Sequence, residues 1–170
     1  DEPVYAMDPE LDNSWGVKRI GAGAVHIGGN KGLGVKIGII DSGINYTHPD
    51  LDGVYAGGHD FVQNDNDPAD VYGHGTHVAG TACAEDNNFG VVGVAPSCAL
   101  YSLRVLNDDG VGQWSRVIAA MDWAVKNGLQ VVNLSLGSSK NPGTAVKTAF
   151  DNAEAAGIVI AAAAGNSGNM

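Results

Sequence analysis

A chain of 170 residues suffices for one domain with a real apolar core, and 44% hydrophobic against 16% charged residues excludes a disordered chain. Nineteen acidic residues against nine basic ones leave a formal net charge of -10, which argues against nucleic acid or an anionic membrane as partner. The same excess of carboxylates suits solubility and the binding of hard cations. No run approaches the ~18 apolar residues of a membrane span. The start, Asp1-Glu2-Pro3-Val4-Tyr5, lacks the basic and apolar stretches of a signal peptide, so an exported protein is expected here in mature form. Cys83 and Cys98 are too few for a disulfide framework; one bridge is possible, and two buried free thiols are the expectation.

In chain order, Val35–Ile40 is a β-branched run between Gly34 and Asp41 and predicts a first strand. His74–Ala84 is rich in small residues and suits a buried helix. Ala99–Leu106 predicts a second strand. Trp114, Val117, Ile118, Met121, Ala124 and Val125 repeat at helical spacing, with Gly128 where a C-terminal cap belongs. Val131–Leu136 predicts a third strand, and Ala145, Val146, Ala149, Phe150 and Ala153 a further helix closed by Gly157. Ile158–Ile160 leading into Ala161–Ala164 predicts a fourth strand. Strands this apolar suit a parallel sheet covered on both faces, so the fold class is α/β, with a parallel sheet flanked by helices in three layers. No internal repeat, low-complexity tract or interdomain linker interrupts the pattern.

Two segments carry chemistry. Asp41 directly follows the first strand, where a carboxylate points into the crevice in which open α/β sheets bind ligands. Read alone, it could equally cap a turn. Gly73-His74-Gly75-Thr76-His77-Val78-Ala79-Gly80 opens the small-residue helix, and neutral imidazole is the usual general base near neutral pH. One such histidine could be structural, and two spaced by three could ligate a metal on one helix face.

Asp41-Ser42-Gly43, His74-Gly75-Thr76-His77-Val78-Ala79-Gly80 and Ala162-Ala163-Ala164-Gly165-Asn166 together resemble three of the four hallmark segments of the subtilisin-like serine proteases. Their order and spacing match the secreted bacterial subtilisin and thermitase type from about Trp15 to Met170, leaving residues 1–14 as an N-terminal arm ahead of the catalytic domain portion, 15–170. The resemblance implies a serine endopeptidase acting outside the cell on extended polypeptides. Asp41 would orient and stabilise the histidine, His74 would be general base and then acid, and Asn166 would donate its amide to the oxyanion. His77 would be structural. Gly110, Gly112 and Trp114 resemble the segment that pairs with extended peptide, and Ser135, Leu136 and Gly137 the opposite groove edge. Ala163 and Ala164 would line the pocket nearest the scissile bond.

The family's nucleophile lies in a Gly-Thr-Ser-Met-Ala-type segment, and none of the chain's serines stands in such a context. The 170 residues alone are therefore expected to be inactive and the fold incomplete on its C-terminal side, with a complementary C-terminal portion as partner. The resemblance also implies calcium. Glu85–Val91 is similar to a tight calcium loop, with ligands from the Asn87 side chain, the carbonyls of Glu85, Phe89 and Val91, and Asp50. Leu11 occupies the place of an additional N-terminal ligand and cannot serve; Asp12 is its candidate replacement. Asp60, Asp65 and Asp67 form a second candidate loop, weakened by Gln63, and a solvated acidic loop is the competing reading. Two other functions stay open: a noncatalytic peptide-binding or assembly fragment, and a metal-dependent hydrolase built on His48, His74 and His77.

Overall fold

The computed structural model describes residues 9–166, so residues 1–8 of the arm lie outside the description. Three short helices come first: α1 (Pro9–Asn13), α2 (Trp15–Arg19) and α3 (Ala22–Ile27). They are followed by β1 (Lys36–Asp41), β2 (Tyr55–Asp60), α4 (His74–Cys83), β3 (Ala99–Arg104), α5 (Trp114–Lys126), β4 (Val131–Leu134), α6 (Thr144–Ala155) and β5 (Val159–Ala162). The five strands run parallel in the order β2-β3-β1-β4-β5.

Side chains alternate across β1 as strand geometry demands. Ile37 and Ile39 join a core with Ile44, Leu51, Ala79, Cys83, Cys98 and Leu100, beneath α4. Ile40 faces the other layer, where Leu103, Val117, Met121, Ala124, Val132, Leu134 and Ala149 knit α5 and α6 onto the sheet. The result is the three-layer α/β arrangement expected. Strand coverage is uneven, however: β1 is buried almost throughout, whereas Val159 on β5 is 64% exposed and the strand's outer edge is unpaired among the described residues.

The elements differ from expectation in three places. β2 was not anticipated, because Tyr55-Ala56-Gly57-Gly58-His59-Asp60 has no β-branched residue. Its pairing with β3 explains the glycines: a Cβ on Gly58 would lie 2.0 Å from the Ser102 carbonyl oxygen. α4 is not buried all round; Gly75, Ala79 and Cys83, spaced by four, form its buried face, and His77 is exposed on the other. β3 and β4 each stop two residues short of the predicted strands, and after β3 the chain leaves the sheet for the turn closed by the Leu106–Gly112 bridge. Both cysteines are free and buried. A hydrogen bond with Cys98, and then burial, push the Cys83 thiol well above its ordinary value, so it is held protonated.

Leu103 is fully buried where β3 meets α5. Leu103→Ala is expected to cost about 2–5 kcal/mol in the full protein, read as a lowered urea midpoint at unchanged slope.

Candidate active site

β1 is central, and the chain visits strands on one side of it before crossing to β4 on the other. Such a switch point opens a crevice at the strands' carboxyl ends. Asp41 ends β1 there, fully buried. His74 is the first residue of α4, with its side chain 42% exposed. The His74 Nδ1–H donates to Asp41 Oδ1 at 2.8 Å, and the Ser42 N–H donates to the same oxygen at 2.7 Å. A carboxylate only accepts, so this bond leaves the lone pair of the neutral ring on Nε2. Asp41 Oδ2 is buried with no hydrogen-bond partner among the described residues. Gly75 allows the approach, since a Cβ there would meet the Gly43 carbonyl oxygen at 2.1 Å.

His74 opens onto a groove of about 480 Å³. Gly110, Gly112 and Trp114 line one side, and Ser135, Leu136 and Gly137 the other, so all six expected there meet in one place. Gly110 lies in a turn closed by the Leu106–Gly112 bridge, not in a regular strand, and Trp114 is half-buried at the start of α5. Tyr72 and Leu106 also line the groove and were not anticipated. The Tyr72 ring packs on Gly110, where a Cβ would come within 2.7 Å. No local pattern marks that tyrosine in advance. Ala163, Ala164 and Asn166 are exposed beyond the end of β5 and are not among the residues lining the groove.

A further carboxylate stands behind the pair. Asp70 Oδ1 accepts from the Ser42 hydroxyl and the Gly73 N–H, each at 2.9 Å. Its Oδ2 accepts from the Thr76 N–H at 2.9 Å and the Thr76 hydroxyl at 2.5 Å. Burial pushes this carboxyl up, but the Thr76, Gly73 and Ser42 hydrogen bonds outweigh it and hold Asp70 below its ordinary value.

The two candidate cation loops differ. Asp50 is 4% exposed; its Oδ2 accepts from the Val91 N–H at 3.2 Å, and its Oδ1 is buried without a partner among the described residues. The carbonyls of Glu85, Phe89 and Val91 accept no hydrogen bond among those residues, and Asn87 braces the loop through Pro49. An orphaned buried carboxylate oxygen and free carbonyls in the loop it braces fit a hard cation. Asp12 does not reach this loop: it pairs with Lys18. The acid that does is Glu10, whose Oε1 accepts from the Asn87 and Phe89 N–H groups, both at 3.1 Å. With Asn13 on Gly90 and Ser14 on Val92, it makes three residues of the expected arm part of the loop's support.

Asp60, Asp65 and Asp67 are not gathered into a cradle. Asp60 Oδ2 takes the Arg104 guanidinium at 2.5 Å, and its Oδ1 takes the Val62 and Gln63 N–H groups. Asp65 accepts from the Asp67 N–H, and Asp67 from the Tyr46 hydroxyl. A buried cation is thus already present as Arg104. His48, His74 and His77 do not form a metal centre either. His48 and His77 line a separate cavity, and no cluster of three His, Cys, Asp or Glu side chains suits a metal among the described residues.

The Subtilase family profile (peptidase S8) matches residues 32–170. The chain belongs to the subtilase family. It is 50% identical to Subtilisin DY of Bacillus licheniformis over 155 residues, covering 91% of this chain and 56% of that protein. It is 47% identical to Subtilisin E of Bacillus subtilis (strain 168), covering 91% of this chain and 40% of that protein. The crystal structure of a cold adapted subtilisin-like serine proteinase superposes with a TM-score of 0.73 at 40% identity, over 81% of this chain and 48% of that one. This subtilase chain thus spans about half the length of the relatives it matches.

Because Asp70 is held below 3.8, its hydrogen bonds contribute fully above that value and are lost as pH falls through the lower folded one. The melting-temperature advantage of the full protein over Asp70→Asn is expected to be constant near neutral pH and to shrink below pH 3.8. A constant difference down to pH 2, about two units below that value, would show that Asp70 keeps no such tie.

Proposed function

We propose that the full protein is an extracellular, calcium-stabilised serine endopeptidase, and that these 170 residues supply its acid, base and part of its peptide groove. The observation that carries the reading is the imidazole of His74, anchored through Nδ1 to buried Asp41 and opening onto a groove lined by Gly110, Gly112, Trp114, Ser135, Leu136 and Gly137. In this reading a serine hydroxyl attacks the scissile carbonyl carbon while its proton passes to His74 Nε2. Asp41 holds the ring and stabilises the imidazolium. Asn166 donates to the oxygen as it becomes negative. The peptide C–N bond then breaks, the amine takes the proton from His74, and water repeats the sequence to release the acyl group.

No serine of the described residues hydrogen-bonds to His74. In this proposal the serine belongs to a complementary C-terminal portion, and the present residues alone are inactive. That portion also covers β5 and brings Ala163, Ala164 and Asn166 to the groove. The substrate is an extended polypeptide. A divalent cation, calcium in this proposal, is held by Asp50, Asn87 and the carbonyls of Glu85, Phe89 and Val91; when bound it neutralises buried charge and stiffens the loop. An extracellular place of action belongs to the same proposal, supported by the likeness to secreted subtilisins.

A fluorophosphonate probe is expected to label a serine of the full protein, and His74→Ala to lower kcat/KM by at least about a hundredfold. Absence of labelling would favour a noncatalytic peptide-binding role for the groove. Chelation with EGTA is expected to lower the melting temperature, by several degrees for a loss of about 1–2 kcal/mol. An unchanged melting temperature removes the calcium assignment.

A further inference from the structure

We infer that Asp70 is a positioning residue for catalysis, setting the direction of the hydroxyl hydrogen bonds that lock the start of α4, and with it His74, against the end of β1. The inference rests on the protease reading above and goes beyond it, because Asp70 touches neither His74 nor the groove.

The argument is one of donors and acceptors. α4 begins without a side-chain cap, since its N-cap is Gly73. The first amides of a helix lack partners within it and need acceptors from elsewhere. Gly75 N–H finds one in Ser42 Oγ at 2.9 Å, and Thr76 N–H in Asp70 Oδ2 at 2.9 Å. A hydroxyl has one proton, so what it accepts depends on where that proton goes. Ser42 Oγ gives its proton to Asp70 and is thereby left to accept from Gly75. Thr76 Oγ1 likewise gives its proton to Asp70 and accepts from the Asn45 N–H at 2.9 Å. An ionised carboxylate has no proton to offer and forces both orientations at once.

The residues so tied are the immediate neighbours of the reacting pair. Ser42 follows Asp41 and donates its own N–H to the Asp41 carboxylate. Gly75 follows His74. Through Ser42 Oγ, the Asp70 carboxylate therefore links the strand that carries the acid to the helix that carries the base. An amide at position 70 keeps the shape but puts an NH2 donor in place of one of the two accepting oxygens, so one of the two hydroxyls loses its acceptor and must turn its proton elsewhere. Gly73 N–H at the Oδ1 place, or Thr76 N–H at the Oδ2 place, then faces a donor and loses its partner. The start of α4 shifts, and the reach of His74 toward its proton shifts with it.

The test is made in the full chain, with rates normalised to active sites titrated by the fluorophosphonate probe. Asp70→Asn is expected to lower kcat on the order of ten- to hundredfold. KM is expected to stay within about twofold, because the groove is untouched. The low-field Nδ1 proton resonance of His74 is expected to move or broaden. Thr76→Val is expected to show the same split in milder form and Thr76→Ser to restore most of the loss. That pair decides the matter if Asp70→Asn does not fold. Wild-type kcat and an unmoved His74 resonance in Asp70→Asn, with only a lower melting temperature, would overturn the inference and leave Asp70 a purely structural residue. A wild-type chain that hydrolyses no peptide overturns the protease reading instead, and the His74 resonance still decides whether Asp70 positions the ring.

Discussion

A single hydrogen bond, His74 Nδ1–H to Asp41 Oδ1 at 2.8 Å, joins two parts of the chain that are 33 residues apart. It exists because a parallel sheet ends β1 at Asp41 and a helix starts at His74, one element length above the same crevice. The groove walls depend on the same arrangement. One wall leaves β3 through the turn around Gly110, and the other leaves β4 through Ser135–Gly137. β3 and β4 flank β1 on opposite sides, so the strand order itself puts a wall on each side of the pair. Were β4 laid beyond β2 instead, both walls would fall on one side and no cleft would form.

Much of this was legible because it is written in local periodicity. Four of the five strands carry β-branched or aliphatic runs, and α5 and α6 carry clear apolar stripes. β2 was not legible because its shape answers to β3, whose backbone presses on Gly58. The helices α1 to α3, five or six residues each, are too short for a period to show. Asp41 and His74 stood out through their immediate neighbours. Asp70 did not, because its four bonds run to Ser42, Gly73 and Thr76, and no short window contains that set.

The acidic loops show a related limit. Spacing of carboxylates announces that positive charge is needed, not which charge will answer. At Asp50 the structure leaves a buried carboxylate oxygen without a partner among the described residues, beside a loop whose carbonyls are free. At Asp60 the answer comes from Arg104, 44 residues later, and the carboxylates that follow turn outward to other partners. Glu10 makes the same point from the other end of the chain: an acid one position before the expected place supports the loop, because α1 turns that side chain inward.

The Arg104 pairing bears on how this corner responds to heat and salt. Arg104 and Asp60 are 4% and 0% exposed, so mobile ions screen their attraction little. The cost of keeping two charges out of water falls as temperature rises, because the hydration they forgo becomes less favourable. Apolar contacts gain nothing comparable. Arg104 also reaches Asp108, beside the groove turn. On warming, therefore, the tie that Arg104 makes between β3 and the loop after β2 weakens less than the apolar packing around it.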